Sequence, residues 1–207
     1  MPAAGGRAKV AAGKAWLSMR PDRGCAANAS ACRLRAPRCR VGAALENQPG
    51  YVLPREPSEE SICRLVQYWR SRCVEGRLPA RADIDPVALP YILPNIFLMD
   101  VRRDEEPHRR FRFRLFGTEL ARVHGCDLTG RTFHEALDPG PADGAVRHAT
   151  RVVEERIPLF VSGKTLYVRN KEWLNFENCM LPLQDQGGAV NMILGATVYT
   201  IPSLGAA

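Results

Sequence analysis

Two segments of this chain, Ile96-Phe97-Leu98-Met99-Asp100-Val101 and Ala189 to Ile201, are apolar at successive positions rather than alternate ones. Neighbouring residues of a strand point to opposite faces, so strands of this kind are apolar on both faces and must be covered on both. That demand excludes a one-sided sheet open to water. It also sets the two segments side by side at the middle of a sheet. Phe111, Phe113 and Leu115 alternate with Arg112 and Arg114, which gives a strand with one wet face, suited to a sheet edge. The charged stretch from Arg102 to Arg110 joins it to 96–101 as a hairpin. Leu159 to Val168 and Trp173 to Leu183 are two further strands, and Gln184-Asp185-Gln186-Gly187-Gly188 turns the chain into the last one.

Helical pieces fill the middle. Thr118 to Val123 is a short helix ended by Gly125, Thr132 to Leu137 is another, and Pro141 to Arg156 is longer, with Val146, Ala149, Val152 and Val153 on its apolar side. Strands at both ends with helices between them describe an α+β domain built on a mostly antiparallel sheet.

These helices can cover one sheet face only. The other cover comes from a leading helix expected over 58–75. There Ile62, Leu65, Val66, Trp69 and Cys73 recur at helical spacing, with Arg64, Gln67, Arg70 and Arg72 opposite. This helix is expected either to lie over its own sheet or to cross to a second copy. The second route predicts a homodimer anchored by Ile62, Leu65, Val66 and Trp69.

Charge divides the chain in two. Residues 1–56 carry ten Lys/Arg and three Asp/Glu, whereas the remaining residues carry 19 of each. Residues 1–50 contain no Phe or Ile, too little to offset the entropy of ordering them, so residues 1–57 are expected to be a disordered basic tail. The folded domain is expected over 58–204. A neutral body argues against nucleic-acid binding, although the Arg-rich run Cys32 to Arg40 keeps that alternative open. No apolar run reaches the roughly 18–20 residues of a membrane span. Seven cysteines without a CxxC pair suit neither a zinc ribbon nor a redox motif.

With these elements in order, the chain resembles the PAS domain family, and its wording is similar to a bacterial branch common in alphaproteobacteria. Four segments carry the resemblance: Tyr68-Trp69-Arg70 with Leu78 to Pro86; Leu93-Pro94-Asn95 with Ile96 to Val101; Phe111 to Leu120 with Gly125 to Arg131; and Met180-Leu181-Pro182-Leu183 with the Gly-Gly turn and last strand. Together they span about 58–202. The resemblance implies a five-stranded antiparallel sheet in the order 2-1-5-4-3, with helices between strands two and three.

It also implies a non-enzymatic sensory or regulatory module in the cytoplasm. Such a module acts by contact with a signalling partner and takes a small apolar ligand between helices and sheet. Phe111, Phe113 and Leu115 would face that space from the sheet, and Val123, Phe133, Leu137 and Val153 from the helices. Glu177 reads either as a solvated strand position or as a polar anchor for a ligand or for Arg112.

Neither haem nor flavin is expected. His124 and His134 lie where some relatives hold haem but lack an axial-ligand context. Asn178-Cys179 is similar to the Asn-Cys pair of flavin photosensors, yet it falls in a strand. No metal site is expected. Cys126 is expected to be a small buried residue. A small enzyme of thioesterase or isomerase type remains the alternative, but no nucleophile–base set or paired-acid spacing supports it.

Overall fold

The computed structural model describes residues 51–53, 56–165, 168 and 171–202. Its elements run β1 (Tyr51–Val52), α1 (Glu60–Ser71), three single 3-10 turns between residues 81 and 95, β2 (Ile96–Val101), β3 (Phe111–Phe116), α2 (Thr118–His124), α3 (Phe133–Ala136), α4 (Pro139–Glu155), β4 (Leu159–Lys164), β5 (Asn175–Gln184) and β6 (Val190–Thr200). The sheet order is β1-β4-β5-β6-β2-β3, with each pair antiparallel. From β2 to β6, the five main strands have the order 2-1-5-4-3, with all three helices after α1 between the second and third. The doubly apolar strands β2 and β6 are neighbours, pairing Ile96 with Ala196 through Asp100 with Met192.

Ahead of residue 58, β1 pairs with the outer edge of β4, Tyr51 opposite Gly163 and Val52 opposite Ser162. Ordered structure therefore begins earlier than the helical periodicity alone suggests, inside the segment expected to be tail. The expectation for residues 1–50 lies outside the described residues.

Helix α1 is shorter than the 58–75 expected. Glu59 is its cap, accepting from the Ile62 amide at 2.9 Å. At the other end, Glu75 (φ 50°) and Gly76 (φ 78°) form a two-residue reverse turn closed by the Val74–Arg77 bridge, which no helix can enter. The stripe Ile62, Leu65, Val66 and Trp69 is buried against the chain's own β5 and β6. The Trp69 indole donates to the Pro182 carbonyl at 3.1 Å. The helix is thus an intramolecular lid over the outer face of the sheet, and α2 to α4 cover the inner face.

Two local irregularities shape the inner face. In β3, Leu115 pairs with Leu98, but Phe113 pairs with Met99, leaving Arg114 as an extra residue. One inserted residue reverses the alternation beyond it. Phe116 therefore takes the inward place, 5.2 Å from the Phe113 ring, and Leu115 is turned to the outer side, 43% exposed. The second is Gly195, opposite Phe97. A Cβ there would lie 2.0 Å from the Phe97 ring, so only glycine lets that ring lie across β6. Gly195→Ala should cost about 1–3 kcal/mol by overpacking. Urea unfolding checks this, and an unchanged midpoint would mean that the ring is free to move aside.

Candidate functional site

The bulge in β3 and the glycine in β6 leave a row of aromatic rings along the inner face. Phe97, Phe113, Phe116 and Phe176 come from the sheet, and Phe133 from α3. Phe113 meets Phe97 and Phe133 edge-to-face, with centroids 5.8 and 5.4 Å apart. Such contacts add about 0.5–1.5 kcal/mol each to the area buried and hold the rings at fixed angles. Opposite them, α4 presents Pro141, Gly144, Ala145 and His148. Small residues there keep the helix from filling the space. A cavity of about 110 Å3 remains. That is the scale of the ~150 Å3 apolar hole that accepts a benzene molecule.

Its wall carries a few polar groups. The amide Nδ2 of Asn178 donates to Thr197 Oγ1 at 2.8 Å. The Asn178 Oδ1 is buried without a hydrogen-bond partner. His124 Nε2 and the Tyr199 hydroxyl share a hydrogen bond of 3.0 Å. Burial pushes the His124 imidazole down to about 4, and the Lys171 ammonium acts in the same direction. Burial, with Arg147 and Arg151 nearby, likewise holds His148 at about 4. Both rings are therefore neutral around pH 7. Among the described residues, no Asp, Glu, Lys or Arg lines this cavity.

Of the residues expected to form the pocket, Phe113, Phe133 and Leu137 line it. Phe111 is buried in the core beside Phe133, one ring further along β3. Leu115 lines an outer groove with Leu93 and Leu98, for the reason given by the bulge. Val123 packs with Val168 and Leu174 in a separate small cluster, and Val153 belongs to the main core. Phe97, Phe116, His124, His148 and Phe176 are among the other lining residues, which the sequence reading missed. Their signal was present for β5, where Phe176, Asn178 and Met180 share one register.

Glu177 stands between two pocket residues but faces the other way. Its carboxylate Oε1 accepts from the Ser58 amide at 2.7 Å and the Glu59 amide at 3.0 Å, and its Oε2 from the Ser58 hydroxyl at 2.6 Å. Amides at a helix start lack intrahelical partners and carry partial positive charge, so a carboxylate is the natural acceptor. Glu177 is thus an anchor for α1. It contacts neither the cavity nor Arg112, whose guanidinium donates instead to the Gly130 carbonyl at 2.7 Å.

The two cysteines singled out are also placed. Cys179 is fully buried on the outer side, its thiol pushed up to about 12, chiefly by burial. Cys126 is exposed rather than buried, at a shallow cleft beside His124 and Lys171. Among the described residues, no three His, Cys, Asp or Glu side chains are grouped to hold a metal ion, and no helix is long and apolar enough to cross a membrane.

A family model described as "PAS domain" matches residues 58–198. The chain belongs to the PAS domain family. PAS domains are sensory modules that are typically non-enzymatic. No curated protein matches the chain. Among solved structures, it is similar to the N-terminal domain of a diguanylate cyclase with PAS/PAC sensor from Marinobacter aquaeolei (11% identity, 50% of this chain and 93% of that one, TM-score 0.37). It is also similar to a light-oxygen-voltage domain studied with a flavin analogue (14%, 56% and 84%, 0.39) and to an RNA-binding light-oxygen-voltage receptor (14%, 72% and 38%, 0.40).

The two histidines give this PAS domain a pH signature. Folded, they stay neutral down to about 4. Unfolded, they take up protons near the ordinary value of about 6.5. The unfolded state therefore binds more protons as pH falls, and the stability they contribute is full above about 6.5 and lost toward 4. Urea unfolding at about pH 7 and pH 5 should show a loss of roughly 1–2 kcal/mol per imidazole. His124→Gln should remove about half of that slope, and an undiminished slope in the variant would contradict the assignment.

Proposed function

We propose that the chain is a cytoplasmic, non-enzymatic sensory module in which a small molecule in the aromatic cavity governs the docking of α1. The observation that carries this reading is the sequence Phe176-Glu177-Asn178 on one strand. Phe176 and Asn178 line the cavity, and Glu177 holds the start of α1 on the opposite face. Adjacent strand residues point to opposite faces, so a shift of β5 that accommodates a ligand is felt at the helix anchor without any relay through other elements. The couple is short and mechanical.

Releasing α1 uncovers Ile62, Leu65, Val66 and Trp69 together with the sheet face they cover. Each such side chain is worth about 1.5–3 kcal/mol when buried, so the released surface binds a partner. A second copy is the simplest partner, because its α1 already fits the same sheet face. A signalling protein that offers an apolar helix would use the same face.

Glu177→Ala removes three acceptor contacts at the helix start and should weaken docking of α1 by about 1–2 kcal/mol. Sedimentation should then show more dimer for the variant than for the wild type at equal concentration. If both chains sediment alike while the variant remains folded, the anchor does not govern association and the reading fails.

A further inference from the structure

Among the described residues of the cavity wall, one carries a buried polar atom with no hydrogen-bond partner. Asn178 is 8% exposed and lies within a β-strand at the centre of the inner face. Its Nδ2 is spent on Thr197 Oγ1, while its Oδ1 is buried and has no partner. A buried acceptor left unmade is expensive, and such atoms are rare in folded proteins. The other polar groups on this part of the wall are engaged with one another, His124 with Tyr199 and Thr197 with Asn178. Oδ1 is therefore an unmet acceptor on a residue of the cavity wall.

The rest of the lining restricts the occupant further. Five phenylalanine rings from β2, β3, β5 and α3 stand in the wall and favour a flat ring packed against their edges and faces. Space of about 110 Å3 admits one ring rather than two. Among the described residues no charged side chain lines the cavity, and both histidines are neutral, so a carboxylate or an ammonium would meet no counter-charge from them.

We infer that the cavity takes an uncharged single-ring molecule bearing one O–H or N–H donor, which hydrogen-bonds to Asn178 Oδ1. This rests on the cavity being the sensory site. The ligand class excludes simple hydrocarbons as well as anions: the former leave Oδ1 unmet, and the latter add an unpaired charge.

The test uses the full chain with phenol, toluene and benzoate as probes, by calorimetric titration of the wild type and Asn178→Leu. The preference for phenol over toluene should fall about tenfold in the variant, because leucine presents no acceptor to satisfy. Benzoate should bind far more weakly than phenol to the wild type. Should Asn178→Leu fail to fold, the side-chain amide resonance of Asn178 in the wild type supplies the readout: phenol should shift it clearly further than toluene does. If the preference is unchanged in a folded variant, if the amide resonance responds alike to both, or if benzoate binds as tightly as phenol, the inference falls while the sensory cavity stands. If none of the three probes binds, the cavity reading fails, and the inference fails with it.

Discussion

A sheet whose two central strands are apolar on both faces has to be covered twice, and the architecture of this chain follows from how each cover is made. The inner cover comes from α2, α3 and α4, inserted between β3 and β4. The outer cover is α1, which the chain supplies between β1 and β2. The two covers differ in kind. The inner one is tied into the sheet at both ends, by α2 following β3 directly and by α4 leading into β4 within a few residues. The outer one is held by its apolar stripe, by the Trp69 indole on the Pro182 carbonyl and by the Glu177 carboxylate on its first amides.

That asymmetry gives the family membership a physical content in this chain. A sensory module needs a place for a signal to enter and a part that moves in response. The inner face has the cavity, bounded by rings that Gly195 and the β3 bulge put in position. The outer face has α1, held by its apolar stripe and its anchored start. β5 contributes to both, and it does so through three consecutive residues.

Much of this was legible in the sequence. The doubly apolar strands placed β2 beside β6, the arginines of β3 placed it at an edge, and the spacing of Ile62, Leu65, Val66 and Trp69 disclosed an amphipathic helix with a face to bury. Choosing between its own sheet and a second copy was beyond periodicity, since the same stripe serves both. The structure places it on its own sheet. Leu115 was assigned inward by strict alternation, which cannot anticipate an extra residue in β3. Glu177 was read as either solvated or anchoring, and its true partners, the Ser58 and Glu59 backbone amides, have no side-chain identity to read. His148 lay on a helix whose apolar side was legible, but its place on the cavity wall depends on how closely α4 approaches the sheet, which Gly144 and Ala145 set.

The account stands on α1 being a lid that opens independently of the sheet beneath it. Amide hydrogen exchange resolves this directly, because subglobal opening appears as lower protection in one contiguous element than in the rest. The amides of Cys63 through Trp69 should exchange through an opening of lower free energy than those of β5 and β6. Glu177→Gln should widen that gap while the sheet is little changed. Protection of α1 equal to that of the central strands, and unmoved by the substitution, would show that the helix unfolds only with the whole domain and would contradict the account.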